Sequence, residues 1–264
     1  MKLAAIGSNC IDYYKNLEGG KAFPGGGPVN MAVYNVRIGG QASYIGPVGN
    51  DEYGELLKNS LQDRGVNTSH MEIKYGDTAV SEVELIDGER VFGDYTEGVL
   101  EDYKLSEEDI LFILKHDIVV CDLWGKVESS FEKLQDLGIK TAFDCADRPE
   151  DNAVQRAIAF TNYLFFSTDE EDSEDLRLYM KKLWQAGPEL VIAMQGEYGS
   201  ICYDGERYIS FGIIDCENVI DTMGAGDSYI AGFLNGKGND LPIEECMKQG
   251  ATVATETIQY FGAW

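Results

Sequence analysis

Residues 221–233 read DTMGAGDSYIAGF: one carboxylate, Asp227, follows three residues with almost no side chain, and an apolar run begins behind it. A helix N-terminus carries about half a positive charge and several unpaired N–H groups, so an anion settles there if no side chain blocks its approach. Gly224, Ala225 and Gly226 clear that approach. Ser228 to Phe233 then read as the first turns of a buried helix, in which small Ala231 and Gly232 allow close packing. A carboxylate beside an anion repels it unless it faces another group, such as a hydroxyl that loses its proton while attacking phosphorus. Phosphoryl transfer is the chemistry this layout suits; an ordinary acidic residue in a first helical turn is the alternative.

Upstream, short apolar runs alternate with longer amphipathic ones. LAAIG (3–7), ASYIGPVG (42–49), DIVVCDLWG (117–125), KTAFDC (140–145), YLFFS (163–167) and LVIAMQG (190–196) read as buried strands. Between several of them lie helical patterns that close on Gly65, Gly138 or Gly187. Strand, helix, strand in repetition predicts an α/β fold, a mostly parallel sheet flanked by helices. The segment 78–99 breaks the rhythm: its alternating residues on both sides of Asp87-Gly88 predict a hairpin with one wet and one covered face. One domain over 1–264 is expected, with 13–24 and 72–99 forming a small β lid inserted in it.

The chain has 264 residues, enough for one large core. With 46 acidic against 21 basic residues its net charge is -25, which disfavours nucleic acid and anionic membrane surfaces as partners. Backbone amides and Mg²⁺ can still hold a nucleotide locally. Six cysteines form no C-x-x-C pair and the two histidines, His70 and His116, are far apart, so no zinc site is expected. The start MKLAAIGSNCIDYY lacks the charge and apolar length of a signal peptide, and no run of about 18 apolar residues occurs, so a cytoplasmic location is expected. Neither a G-x-x-x-x-G-K-[ST] loop nor the third glycine of a dinucleotide fingerprint is present, since Tyr229 stands there.

The chain resembles the ribokinase-like, or PfkB-type, carbohydrate kinases. Their D-T-x-G-A-G-D signature is matched from Asp221 to Asp227, and their P-G-G signature with N-x-A by Pro24, Gly25, Gly26, Asn30 and Ala32. The resemblance implies the ribokinase-like fold with a small β-sheet lid. It implies Asp227 as catalytic base, with the backbone at Gly224, Ala225 and Gly226 as the hole for the transferring phosphoryl group. Asp12, Gly26 and Asn30 would hold sugar hydroxyls, although Asp12 can equally be a strand-end turn residue. ATP would rest on VIAMQGEYG (191–199), with Gly196, Gly199 and Thr222 as contacts, while Met194 stands where the family has Thr. GATVATETI (250–258) resembles the helix lining the adenine, and helix packing explains its small residues as well. The family's N-x-x-E motif for hydrated Mg²⁺ is replaced by FFSTDEEDSED, where either Ser167 with Glu170 or Asp169 with Asp172 would serve.

RVFGDYTEGV (90–99) and IQYFGAW (258–264) resemble the corresponding stretches of bacterial fructoselysine 6-kinases. By that likeness the acceptor is a fructose-like sugar bearing a lysine. Arg90 would pair with its carboxylate, and Asp94 or Glu97 with its ammonium; solvation of the lid's outer face is the alternative. Phe92 and Tyr95 would cover the sugar or pack the lid. A kinase of a plain sugar, fructose or ribose, and a silent sugar- or nucleotide-binding regulator are the competing functions. The lid's strand edges suggest a homodimer.

Overall fold

The computed structural model describes residues 1–86 and 89–264, without the side chains of residues 89 and 90. The chain begins β1 (Lys2–Ile6), β2 (Cys10–Tyr14), β3 (Lys21–Gly25), α1 (Gly27–Arg37), β4 (Gln41–Gly49), α2 (Glu52–Asp63), β5 (Asn67–Lys74), β6 (Val80–Ile86) and β7 (Glu89–Thr96). The middle adds α3 (Glu107–Ile113), β8 (Ile118–Asp122), α4 (Phe131–Asp136), β9 (Lys140–Asp144), α5 (Asn152–Ala157), β10 (Tyr163–Ser167), α6 (Glu174–Gln185) and β11 (Leu190–Met194). Strands β12 (Ser200–Tyr203) and β13 (Tyr208–Phe211) precede α7 (Ala225–Gly238) and α8 (Ile243–Thr257).

Nine strands form one sheet in the order β13-β12-β11-β10-β9-β8-β1-β4-β5, parallel from β5 to β11 and antiparallel at the β12 and β13 end. Successive strand residues point to opposite faces, and both faces are dry: Leu3, Ala5 and Val120 pack with α1, α2, α7 and α8, whereas Ala4, Ile6 and Val119 pack with α3 to α6. That is why these strands read as unbroken apolar runs. Each fully buried Leu, Ile, Val or Phe contributes about 1.5–3 kcal/mol of transfer free energy. The expected runs 117–125 and 190–196 stop early as strands, at Asp122 and Met194, where the chain leaves the sheet. Helices α2 and α6 start on side-chain caps, Asp51 to the Gly54 amide and Ser173 to the Leu176 amide. Gly65, Gly138 and Gly187 follow their helices at positive φ, as expected.

The second sheet has the order β3-β2-β6-β7. Its bounds differ from the expected 13–24 and 72–99. Residues 67–74 are the edge strand of the large sheet, paired with β4, and the small sheet takes β2 from Cys10 onward. The tip Asp87-Gly88, expected as the hairpin turn, lies outside the described residues. Val83 on β6 is buried, whereas Val91 to Thr96 on β7 are exposed, Tyr95 only marginally so.

Candidate active site

Four strands of the large sheet end side by side at Asp122, Asp144, Ser167 and Met194, and α7 begins over this edge. The carboxyl ends of parallel strands form the crevice where ligands bind in open α/β sheets. Gly224 is the N-cap of α7 in the left-handed region, φ 74°, and no side chain caps the helix. The Ala225 N–H turns back to the Thr222 carbonyl at 3.2 Å. Among the described residues no N-cap side chain takes the amides that follow, at Gly226 and Asp227.

The glycines of this turn serve different ends. A Cβ at Gly224 would lie 2.8 Å from the Tyr34 hydroxyl and 3.1 Å from Ala263 Cβ, so the fold itself demands glycine there. A Cβ at Gly226 would meet nothing closer than Met194 Cε at 3.8 Å. Its missing side chain leaves open space above the helix start, which a ligand can use. Asp221 acts structurally: its carboxylate accepts from the Met223 amide at 3.0 Å and the Gly262 amide at 2.7 Å, tying the turn to the segment after α8.

Asp227 Oδ2 accepts from Asn30 Nδ2 of α1 at 2.8 Å, and Asn30 Oδ1 accepts from the Trp264 indole Nε1 at 2.7 Å. Two motifs 197 positions apart thus meet in one hydrogen bond. A Cβ on Gly27 would lie 3.0 Å from Asp122 Oδ2 and 3.3 Å from Asp227 Oδ1, so the two carboxylates converge on the space that this glycine leaves. Asp122 is buried and accepts from the Ser8 hydroxyl at 2.6 Å and the Trp124 amide at 3.1 Å. Burial in this cleft pushes the carboxyls of Asp122, Asp144 and Asp227 up to about 7, the neighbouring carboxylates adding to the rise. For Asp227 the Asn30 N–H opposes the shift. A carboxylate of that basicity beside an uncapped helix start can take a proton from a hydroxyl while the amides hold a phosphoryl oxygen.

Asp12 on β2 is buried, with the Cys10 thiol 3.6 Å from its Oδ1 and the Gly25 backbone directly against it. Its charge raises Asp227's carboxyl, so the two sheets bring these groups to one cleft. Gly26 has φ 103° and would place a Cβ 2.7 Å from Asn9 Cα, so the close crossing of the P-G-G turn over residue 9 requires it. On β7 the alternation sends Tyr95 toward the cleft, within electrostatic reach of Cys10 and Asp122, and burial raises its hydroxyl. Asp94 points the other way, its charge felt by Lys15 instead. Glu97 pairs with Lys126 at 2.8 Å. Alternation turns Asp94 to the face opposite Tyr95, whereas Glu97, past the end of β7 and within electrostatic reach of Tyr95, is already taken up by Lys126. Arg90 pairs by its backbone with Leu85, and its side chain lies outside the described residues.

On the other flank, Gly196 (φ 55°) and Gly199 (φ 91°) shape the turn between β11 and β12, closed by Gln195 N–H to Gly199 O at 2.8 Å. Met194 carries this turn against Gly226, beside the anion hole. Thr222 is exposed at the same rim. Glu170 is exposed beyond the end of β10, its carbonyl accepting from Gln195 Nε2 at 2.8 Å. Among the described residues no group of three or more His, Cys, Asp and Glu could hold a metal. Gly250 answers to packing: a Cβ there would strike the Tyr229 carbonyl at 2.8 Å, where α8 crosses α7.

Asp122, Asp144 and Trp264 were not singled out from sequence. A strand-end carboxylate at the edge of an α/β sheet is a usable signal for the first two, while nothing local marks the third.

The profile of the pfkB family carbohydrate kinases matches residues 2–264. The fructoselysine 6-kinase of Escherichia coli (strain K12) is 46% identical over 262 residues, covering 99% of this chain and 99% of that protein. The fructosamine kinase of Bacillus subtilis (strain 168) is 32% identical over 268 residues, covering 100% of this chain and 93% of that one. The solved structure of Arabidopsis thaliana ribokinase complexed with ribose and ATP superposes with a TM-score of 0.89 at 21% identity, covering 99% of this chain and 93% of that chain. A likeness at that identity shows the fold, which is ribokinase-like. With the profile spanning the chain and the relatives matched end to end, the chain belongs to the pfkB family of carbohydrate kinases and is an ATP-dependent sugar kinase.

Proposed function

We infer that the protein transfers the γ-phosphoryl group of ATP to the 6-hydroxyl of fructoselysine or a related fructosamine. The observation that carries the substrate is the 46% identity to a fructoselysine 6-kinase over nearly the whole of both chains. In the step, the hydroxyl oxygen bonds to the γ-phosphorus, the bond from that phosphorus to the β–γ bridging oxygen breaks, and ADP leaves. The hydroxyl proton passes to Asp227, while the amides at the start of α7 hold the transferring group. Asp12, Gly26 and Asn30 receive the sugar, and ATP lies along Gly196, Gly199 and Thr222. Mg²⁺ arrives with ATP; it keeps most of its waters and needs one or two carboxylates, for which exposed Glu170 and its neighbour Asp169 suit. Arg90 is the proposed partner of the lysine carboxylate. The reaction belongs in the cytoplasm, where ATP is available. Exposed Val91, Phe92 and Tyr95 on β7 fit a homodimer through the small sheet, which mass in solution tests.

A kinase of a plain sugar is the second reading, favoured by Asp94 lying near Lys15 and Glu97 already pairing with Lys126, which leaves neither free for an ammonium. ADP release with Mg-ATP distinguishes the two when fructoselysine, fructose and ribose are compared at equal concentration. The expected result is a kcat/KM at least about tenfold higher for fructoselysine, about 1.4 kcal/mol of discrimination, together with a KM that Arg90→Ala raises for fructoselysine and not for fructose. Preference for a plain sugar overturns the substrate, and no ADP from any of them returns the protein to a silent binder.

A further inference from the structure

Trp264 touches the catalytic cleft from a segment that the phosphoryl-transfer motifs do not include. Its ring is held from several sides. The Arg64 guanidinium, just past α2, stacks over it at 4.2 Å. The residues before it are anchored by the Gly262 N–H to Asp221 and by the Tyr34 hydroxyl to the Ala263 carbonyl. Only one polar atom of this side chain exists to be used, and it points at Asn30 Oδ1.

An indole N–H donates and cannot accept. Facing it, the Asn30 amide has one satisfactory orientation: Oδ1 toward Trp264 and Nδ2 toward Asp227 Oδ2. The flipped amide would set N–H against N–H on one side and a carbonyl oxygen against a carboxylate on the other, exchanging two hydrogen bonds for two repulsions. Without the indole, that second orientation loses half of its penalty, and the donor is held on Asp227 less firmly.

We propose that Trp264 is a positioning residue for phosphoryl transfer: its indole N–H locks the Asn30 amide so that Nδ2–H holds Asp227 Oδ2, leaving Oδ1, the oxygen nearest Gly27, to receive the acceptor hydroxyl. The catalytic part rests on Asp227 as the base; the positioning of the carboxylate does not. Asp227 is faced by Asp122 from β8, by Asp12 from β2, by Asp144 from β9, by the Cys10 thiol and by the Tyr34 hydroxyl of α1. None of these supplies positive charge, so the Asn30 donor opposes their combined field.

Trp264→Phe keeps an aromatic ring near Arg64 but removes the N–H together with the five-membered ring that carries it. In the free protein, the ¹³C carboxyl titration of Asp227, assigned by its loss in Asp227→Asn, should move upward by about half a pH unit or more. Benzothienylalanine at position 264, with sulfur in place of N–H and the same shape, should reproduce the shift without disturbing packing. With the sugar that wild type phosphorylates, kcat should fall roughly fivefold or more, its acid limb moving with the titration, while KM for Mg-ATP changes less than about twofold. In an Asn30→Ala background the same substitution should change neither the titration nor kcat. An unmoved titration, or an equal loss in that background, overturns the proposal and leaves Trp264 as packing. A wild type inactive on every sugar would defeat the proposed function and leave the positioning testable, because the titration needs no substrate.

Discussion

Asp227 works at the scale of one residue because its surroundings set both its basicity and its aim. The folded carboxyl is pushed up to about 7 by burial, with Asp122 and Asp12 adding and the Asn30 N–H opposing. It accepts a proton only when ionised, so kcat/KM should rise with pH through about 7 and level off above, the apparent value belonging to the coupled Asp122 and Asp227 pair. Asp227→Asn keeps the shape and removes the base; it should lower kcat by about 10²–10⁴ in steady-state assays, and a rate near wild type would sink the assignment. Asp227, Asn30 and Gly26 were legible in sequence because each sits inside a short motif whose neighbours are fixed by backbone demands. Asp122 and Asp144 were not, since a single carboxylate at a strand end forms no pattern until adjacent strands place it. Asp94 was misread because one residue of alternation decides which face it shows.

At the scale of the element, the start of α7 separates glycines required by the chain from one left open for a ligand. Gly224→Ala puts a Cβ against Tyr34 and Ala263 at φ 74°, and should cost about 1–3 kcal/mol in denaturant unfolding. Gly226→Ala meets only Met194 Cε at 3.8 Å. It should fold with unchanged stability, or gain up to about 1 kcal/mol from helix propensity, while kcat/KM for Mg-ATP drops about tenfold or more from obstruction of the open amides. Equal stability losses in the two variants would show that Gly226 serves the fold after all. The motif's small residues looked alike in sequence; only the neighbours across the turn tell them apart. The small sheet shows the same limit. Its β6 and β7 were recognised by alternation, but whether 72–74 joined them or the large sheet depended on pairing with β4, a partner outside the segment.

For the whole molecule, the cluster of acids links catalysis to stability. Asp122, Asp144 and Asp227 hold their protons more tightly in the folded state, at about 7, than an unfolded aspartate does at about 3.9. The folded chain therefore binds more protons between those values, and stability should fall as pH rises from about 4 to about 7. Asp51, Asp172 and Asp204, held below the usual range, act oppositely: their stabilisation is present above the unfolded value and is lost as pH falls through their folded values. Thermal unfolding of the free protein at high salt, which screens the net charge of -25, should thus give a Tm that declines across that window, and Asp122→Asn should flatten the decline. A Tm rising toward neutrality would contradict it. The sequence by itself determined the α/β core, the uncapped start of α7 and the motif pair of a sugar kinase, because periodicity, turn glycines and helix termini are local properties of neighbouring residues. Tertiary structure alone decided that Asp122 and Asp144 join Asp227, that Asp94 turns from the cleft and Glu97 pairs with Lys126, and that Trp264 reaches Asn30. These meetings are made by strand register and by the packing of segments as far as 234 positions apart, which no local pattern encodes.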